Sequence, residues 1–124
     1  MLIKEYLNQS QKNYIISTLL KHYKVKVRVV YRSIKDYAYY KFGNGVLEIS
    51  NRKGVIKNEK DFLITVLHEI DHAVMADELG TQRFAKNYIN QSETVGYNAN
   101  PYEVQAEKWA QSQFDYWMDV LESY

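Results

Sequence analysis

The spacing of hydrophobic positions changes along the chain, and each change marks an element. Over residues 2–23, Leu2, Ile3, Tyr6, Ile15, Ile16, Leu19, Leu20 and Tyr23 fall at mostly helical intervals, with polar Asn8, Gln9, Gln11 and Lys12 between them. That spacing predicts one helix or two short ones. From Val25 the period drops to two, as Val25, Val27, Val29 and Tyr31 alternate with Lys26, Arg28, Val30 and Arg32, the pattern of a half-buried strand. Candidate strands follow at 37–42 and 46–50, separated by Gly43-Asn44-Gly45, residues that tolerate the positive φ of a tight hairpin. Residues 25–50 thus read as a three-stranded, mostly antiparallel sheet.

The helical period then returns. Asn58 is an N-cap residue with Asp61 three positions on, and Gly80 is suited to a C-terminus, so a helix is predicted between them. Leu63, Val66, Leu67, Ile70 and Val74 form one stripe on it, and Thr65, His68, His72 and Met75 an adjoining one, so most of its circumference should be buried. A short helix is expected from Thr81 to about Gln91, then a polar loop over 92–100. A last helix is expected from Pro101, with Asn100 as its cap and proline at the first helical position. Its stripe of Ala106, Ala110, Phe114, Trp117 and Leu121 has Glu103 on the same side. The expected class is α+β, with 1–124 forming a single domain: an N-terminal helix, a small sheet, a central helix and a C-terminal helix.

Composition narrows the function. The 124 residues include 16 basic and 15 acidic side chains, a net charge of +1. They read as interspersed, without the basic field that a phosphate backbone needs, so nucleic acid is not an expected partner. Cysteine is absent, which removes disulfides, thiolate ligands and thiol nucleophiles. Any metal must be held by histidine and carboxylate. The N-terminal residues carry charge from Lys4 and Glu5 and show no long apolar run, so neither a signal peptide nor a membrane span is expected. The expectation is a cytoplasmic monomer without membrane contact. The 12 tyrosines are explained as amphipathic rings filling a small core.

The chemistry centres on His68-Glu69-Ile70-Asp71-His72, an H-E-x-x-H within the predicted central helix. Residues four apart on a helix are offset by about 40° and about 6 Å, so both imidazoles reach one metal ion. Glu69 lies about 100° round from His68, where it can take a proton from a metal-bound water instead of ligating. A catalytic zinc site usually has three protein ligands and an open fourth position. Glu103, an acid on a core-facing stripe, is the third candidate, because a divalent cation offsets its desolvation. Read alone, Glu103 is more often a carboxylate that favours a helix N-terminus and points to water; taken with the two histidines, it reads as the third ligand. His22, in polar Lys21-His22-Tyr23-Lys24, reads as a solvated histidine at a helix end.

In these features the sequence resembles the gluzincin metallopeptidases, which pair H-E-x-x-H with a downstream glutamate helix. Glu103-Val104-Gln105-Ala106-Glu107-Lys108-Trp109-Ala110 is similar to the E-x-x-A-[DN]-x-[FW]-A pattern of the ImmA/IrrE-like peptidases, and His72-Ala73 fits their H-E-x-x-H-A form. The order of elements also resembles the minimal gluzincins, with a zincin-like fold. The chain departs in having Glu107 where Asp or Asn is commoner and Trp109 where Phe is commoner. The resemblance implies one Zn2+ per chain on His68, His72 and Glu103, Glu69 as general base, and hydrolysis of a peptide or protein substrate. It also implies that Glu107 supports a zinc-bound histidine through its distal N–H, and that strand 46–50 is the edge along which a peptide pairs. Tyr97 and Tyr102 are the candidates to assist the oxyanion. Two other readings keep the fold without turnover: a silent interaction module, or a latent enzyme whose Phe114-Asp115-Tyr116-Trp117 segment occupies its own cleft.

Overall fold

The computed structural model describes residues 3–41 and 43–122. Phe42, included in the second candidate strand, lies outside the described residues, as does Leu2 of the first predicted helix. The protein has an α+β fold of four helices and a three-stranded mixed sheet: α1 (Gln9–Tyr23), β1 (Arg28–Arg32), β2 (Ala38–Lys41), β3 (Val46–Ser50), α2 (Glu59–Leu79), α3 (Thr81–Val95) and α4 (Pro101–Glu122).

Local chemistry sets most helix boundaries. Helix α1 begins later than the apolar spacing suggests, because Asn8 and Gln11 form a reciprocal capping box that fixes the start at Gln9. It ends at Lys24, which adopts a left-handed conformation (φ 57°) and donates its N–H to the Leu20 and Lys21 carbonyls. Asn58 caps α2 by accepting from the Asp61 N–H at 2.9 Å, and the helix stops before Gly80 as expected. Helix α3 runs to Val95, a full turn beyond the expected 91, and shortens the loop to 96–100.

The sheet departs further from expectation. Strand β2 pairs antiparallel with β3, and the hairpin between them has both glycines at positive φ, Gly43 at 83° and Gly45 at 61°. Strand β1, however, pairs with β3 in parallel, so the order is β1-β3-β2 and the sheet is mixed instead of mostly antiparallel. The reason lies in β3, whose five residues are all buried. A strand covered on both faces takes the centre, and the chain reaches the far edge first. Segment 33–37 wraps the end of β3: Ser50 donates its N–H to the Tyr37 carbonyl and its hydroxyl to the Ile34 carbonyl. Strand 46–50 is therefore not the edge strand; the edge near the helices is β2.

One face of the sheet, carrying Val29, Tyr31, Leu47, Ile49, Ala38 and Tyr40, joins the hydrophobic core. That core centres on α2, where Phe62, Leu63, Val66 and Leu67 are wholly buried, each contributing about 1.5–3 kcal/mol of transfer free energy. The α4 stripe Ala106, Ala110, Phe114, Trp117 and Leu121 is buried as predicted. Phe114 and Trp117 thus belong to the core, so that segment does not occupy a cleft; Asp115 and Tyr116 between them are exposed. No helix among the described residues is long and apolar enough to cross a membrane.

Candidate metal centre

Helices α2 and α4 bring the predicted residues together. His68 and His72, one turn apart on α2, face α4 with ring centroids 5.0 Å apart. Glu103, in the first turn of α4, is buried between them: its Oε1 lies 3.2 Å from His68 Nε2 and in direct contact with His72 Nε2. One donor atom from each of the three residues lies within 4.8 Å of the others. This is the one cluster among the described residues with such a ligand set.

Glu103 owes its position to Asn100. This wholly buried side chain accepts the Tyr102 N–H at 2.9 Å, capping α4. Its amide donates to the Tyr88 carbonyl at 3.0 Å and to Ser92 Oγ at 2.8 Å, tying the cap to the last turns of α3. A second clamp crosses the helices one turn on, where Gln105 Nε2 donates to Asp71 Oδ2 at 3.3 Å. Asp71, inside the motif, therefore orients α4 and does not face the donor cluster.

Two features support the histidines. Glu107 Oε2 lies 3.1 Å from His68 Nδ1, so the imidazole presents Nε2 to the cluster while its other nitrogen is held by a carboxylate. His72 packs against the rings of Phe84 and Tyr88, with centroids 6.1 and 5.9 Å away, and its buried Nδ1 has no hydrogen-bond partner.

The electrostatics of the site favour a cation. Burial works against the His68 imidazolium, but Glu103, Glu69 and Glu107 outweigh it and hold the pKa up at about 9. Burial alone would push the Glu103 carboxyl up, yet hydrogen bonds from His68, His72 and Tyr97 keep it well below the usual carboxylate range. Glu69 is raised, chiefly by burial; its carboxylate accepts the Tyr40 backbone N–H, which ties the candidate base to strand β2.

The tyrosines divide. Most of Tyr97 is exposed, but its hydroxyl reaches Glu103, and burial of that group with the carboxylate beside it raises its pKa. Tyr102 points elsewhere, its ring against Phe84 at 5.1 Å and Tyr88 at 6.4 Å. Tyr88 escaped the sequence reading although it hydrogen-bonds Glu103 and is raised by burial and that carboxylate. Its one sequence signal is its placement four residues after Phe84, on the same face of α3. His22 is remote from the cluster in its contacts, packing on Tyr23 and Trp117 at 4.7 and 4.9 Å.

An open cleft of about 440 Å3 leads away from the cluster. Helix α2 lines it with Lys60, Asp61, Ile64, Thr65, His68 and Glu69, α4 with Glu107 and Gln111, and the start of β2 and the segment before it with residues 35–38; Tyr97 also lines it. Against this geometry, no protein-family model, no curated protein and no solved structure matches the chain.

Proposed function

We propose that this protein is a zinc-dependent endopeptidase of the gluzincin type, with a zincin-like site in which His68, His72 and Glu103 hold the metal and Glu69 is the general base. The observation that carries the reading is the convergence of two imidazoles and one carboxylate within 4.8 Å beside a cleft that Glu69 also lines. The donor set suits zinc, and three protein ligands leave a position for water. When bound, zinc would polarise a peptide carbonyl and acidify a water molecule.

The chain's own residues supply the rest. Glu69, with its pKa raised by burial, accepts the water proton and passes it to the leaving amine. Its bond to the Tyr40 N–H fixes the carboxylate relative to the strand beside which the scissile bond would lie. Glu107 keeps His68 in the tautomer that ligates through Nε2. Tyr97, which lines the cleft and whose hydroxyl reaches Glu103, would donate to a developing oxyanion. A polypeptide would run along β2, whose outer edge has no paired strand among the described residues. The open cleft suits flexible or unfolded segments.

Hydrolysis of a fluorescently labelled unfolded protein, with and without zinc, tests this reading. Zinc-dependent cleavage by the wild type and none by Glu69→Gln is the expected result. Zinc uptake with no cleavage of any unfolded substrate would replace it with the silent interaction module.

A further inference from the structure

Charge is balanced in total but segregated in the fold. Residues 24–60 carry ten of the sixteen Lys and Arg but only three of the fifteen Asp and Glu. Residues 61–124 carry eleven of the acids and three of the bases. The charges are thus not evenly interspersed: the segment that folds as the sheet and its loops is basic, and the helices behind the site are acidic. All ten bases of the 24–60 segment are exposed.

The strand register places three of them on one face. On the sheet face turned away from the core, Arg28, Val46 and Lys41 form one row across the strands, and Val30, Glu48 and Tyr39 form the next. Arg32 and Ser50 follow, with Tyr37 beside them. Glu48, 6% exposed at the centre, is neutralised by Arg32 at 2.5 Å and Lys41 at 3.4 Å. Two cations on one buried carboxylate leave a positive balance, to which Arg28 adds a charge with no carboxylate opposite it. Lys35 extends the basic surface to the cleft, and Tyr37, half exposed on the outer face, also lines the cleft.

Resting on the peptidase reading above, we infer that the outer face of the sheet, from Arg28 to Lys35, is a docking surface for an acidic segment of the polypeptide substrate, continuous with the cleft across β2. Two observations favour a polypeptide over other polyanions. The surface joins the cleft at Lys35 and Tyr37, so one extended chain can occupy both. Its charge is moderate, since Glu48 and Asp36 lie among the cations, whereas single-stranded nucleic acid needs a more continuous positive track. The cations would raise the encounter rate and fix the direction of the bound chain, in a salt-dependent manner.

Fluorescence anisotropy on the full chain carrying Glu69→Gln tests this without interference from cleavage. The probes are a labelled Asp/Glu-rich peptide, a neutral peptide of equal length and a single-stranded oligonucleotide. The acidic peptide should bind about tenfold or more tighter than the neutral one at low salt, and more tightly than the oligonucleotide. Arg28→Glu with Lys35→Glu, neither of which touches Glu48, should remove that preference, whereas Lys86→Glu with Lys108→Glu on the helical side should leave it intact. Equal binding of acidic and neutral peptides, tighter binding of the oligonucleotide, or an unchanged preference in the Arg28/Lys35 variant would each overturn the inference. Because binding is read in a hydrolytically inert variant, failure of the docking surface and failure of the peptidase reading give separate results.

Discussion

The two walls of the cleft are built in opposite ways. The helical wall holds its groups through buried, directional contacts: Asn100 satisfied by three partners, Gln105 on Asp71, and Glu103 between two histidines. The sheet side lines the cleft with residues 35–38, continues onto an outer face of exposed cations and tyrosines around one buried carboxylate, and leaves its outer strand edge unpaired among the described residues. Fixed geometry is what a metal site and a proton transfer require, since small displacements there cost large factors in rate. An adaptable, charged surface is what recognition of an extended chain requires. On the proposed function, chemistry and recognition would occupy separate walls, joined where the Tyr40 N–H meets Glu69.

That division can be broken by substitution. The largest effect is expected at Glu69: Glu69→Gln should lower peptide hydrolysis by about 10²–10⁴-fold while retaining metal, as judged by kinetics and metal analysis on the same sample. Loss of metal together with activity would place Glu69 among the ligands instead. On the same wall, Glu107→Gln should weaken zinc binding by about 10–100-fold, because His68 would lose the carboxylate at its Nδ1. Asn100→Ala should cost about 2–3 kcal/mol in urea unfolding, since it removes a cap and strands the partners of the buried amide. Arg28→Ala on the outer face of the sheet should stay within about 0.5 kcal/mol. Equal costs would erase the distinction between a rigid and an adaptable wall.

pH supplies a further test of the helical wall. His68 holds its proton up to about 9, so a metal ion binding below that pH must displace it. Apparent zinc affinity should rise about tenfold per unit between pH 7 and 9 and then level off, a dependence readable by calorimetry in buffers of different ionisation enthalpy. The sign for folding without metal is the reverse. The folded value lies above the ordinary 6.5, so the stability that His68 contributes is complete below 6.5 and is lost as pH rises through about 9.

The helical wall was also the more legible in the sequence, for the same physical reason. Helix contacts repeat at fixed short intervals, so the apolar stripes, the Asn58 and Asn100 caps and the mutual placement of His68, Glu69 and His72 follow from local spacing. Glu103 became readable because it shares the core-facing stripe of α4 with Ala106 and Ala110, and Glu107 only through the resemblance of residues 103–110 to a family pattern. What escaped depended on contacts between residues distant in the chain. The parallel pairing of β1 with β3 is set by which strand is covered on both faces, and alternation alone does not reveal that. Tyr88 reaches Glu103 only through the packing of α3 on α2, and the basic surface emerges only when the register aligns Arg28 with Lys41 across β3. The left-handed Lys24 that ends α1 has no glycine to announce it.

The central claim is that His68, His72 and Glu103 form one metal site, and zinc titration of the chelator-treated chain tests it most directly. Wild type and His22→Ala should each bind about one zinc ion per chain with equal affinity, while Glu103→Ala should bind at least about 100-fold more weakly. Zinc held by Glu103→Ala as tightly as by wild type would contradict the account.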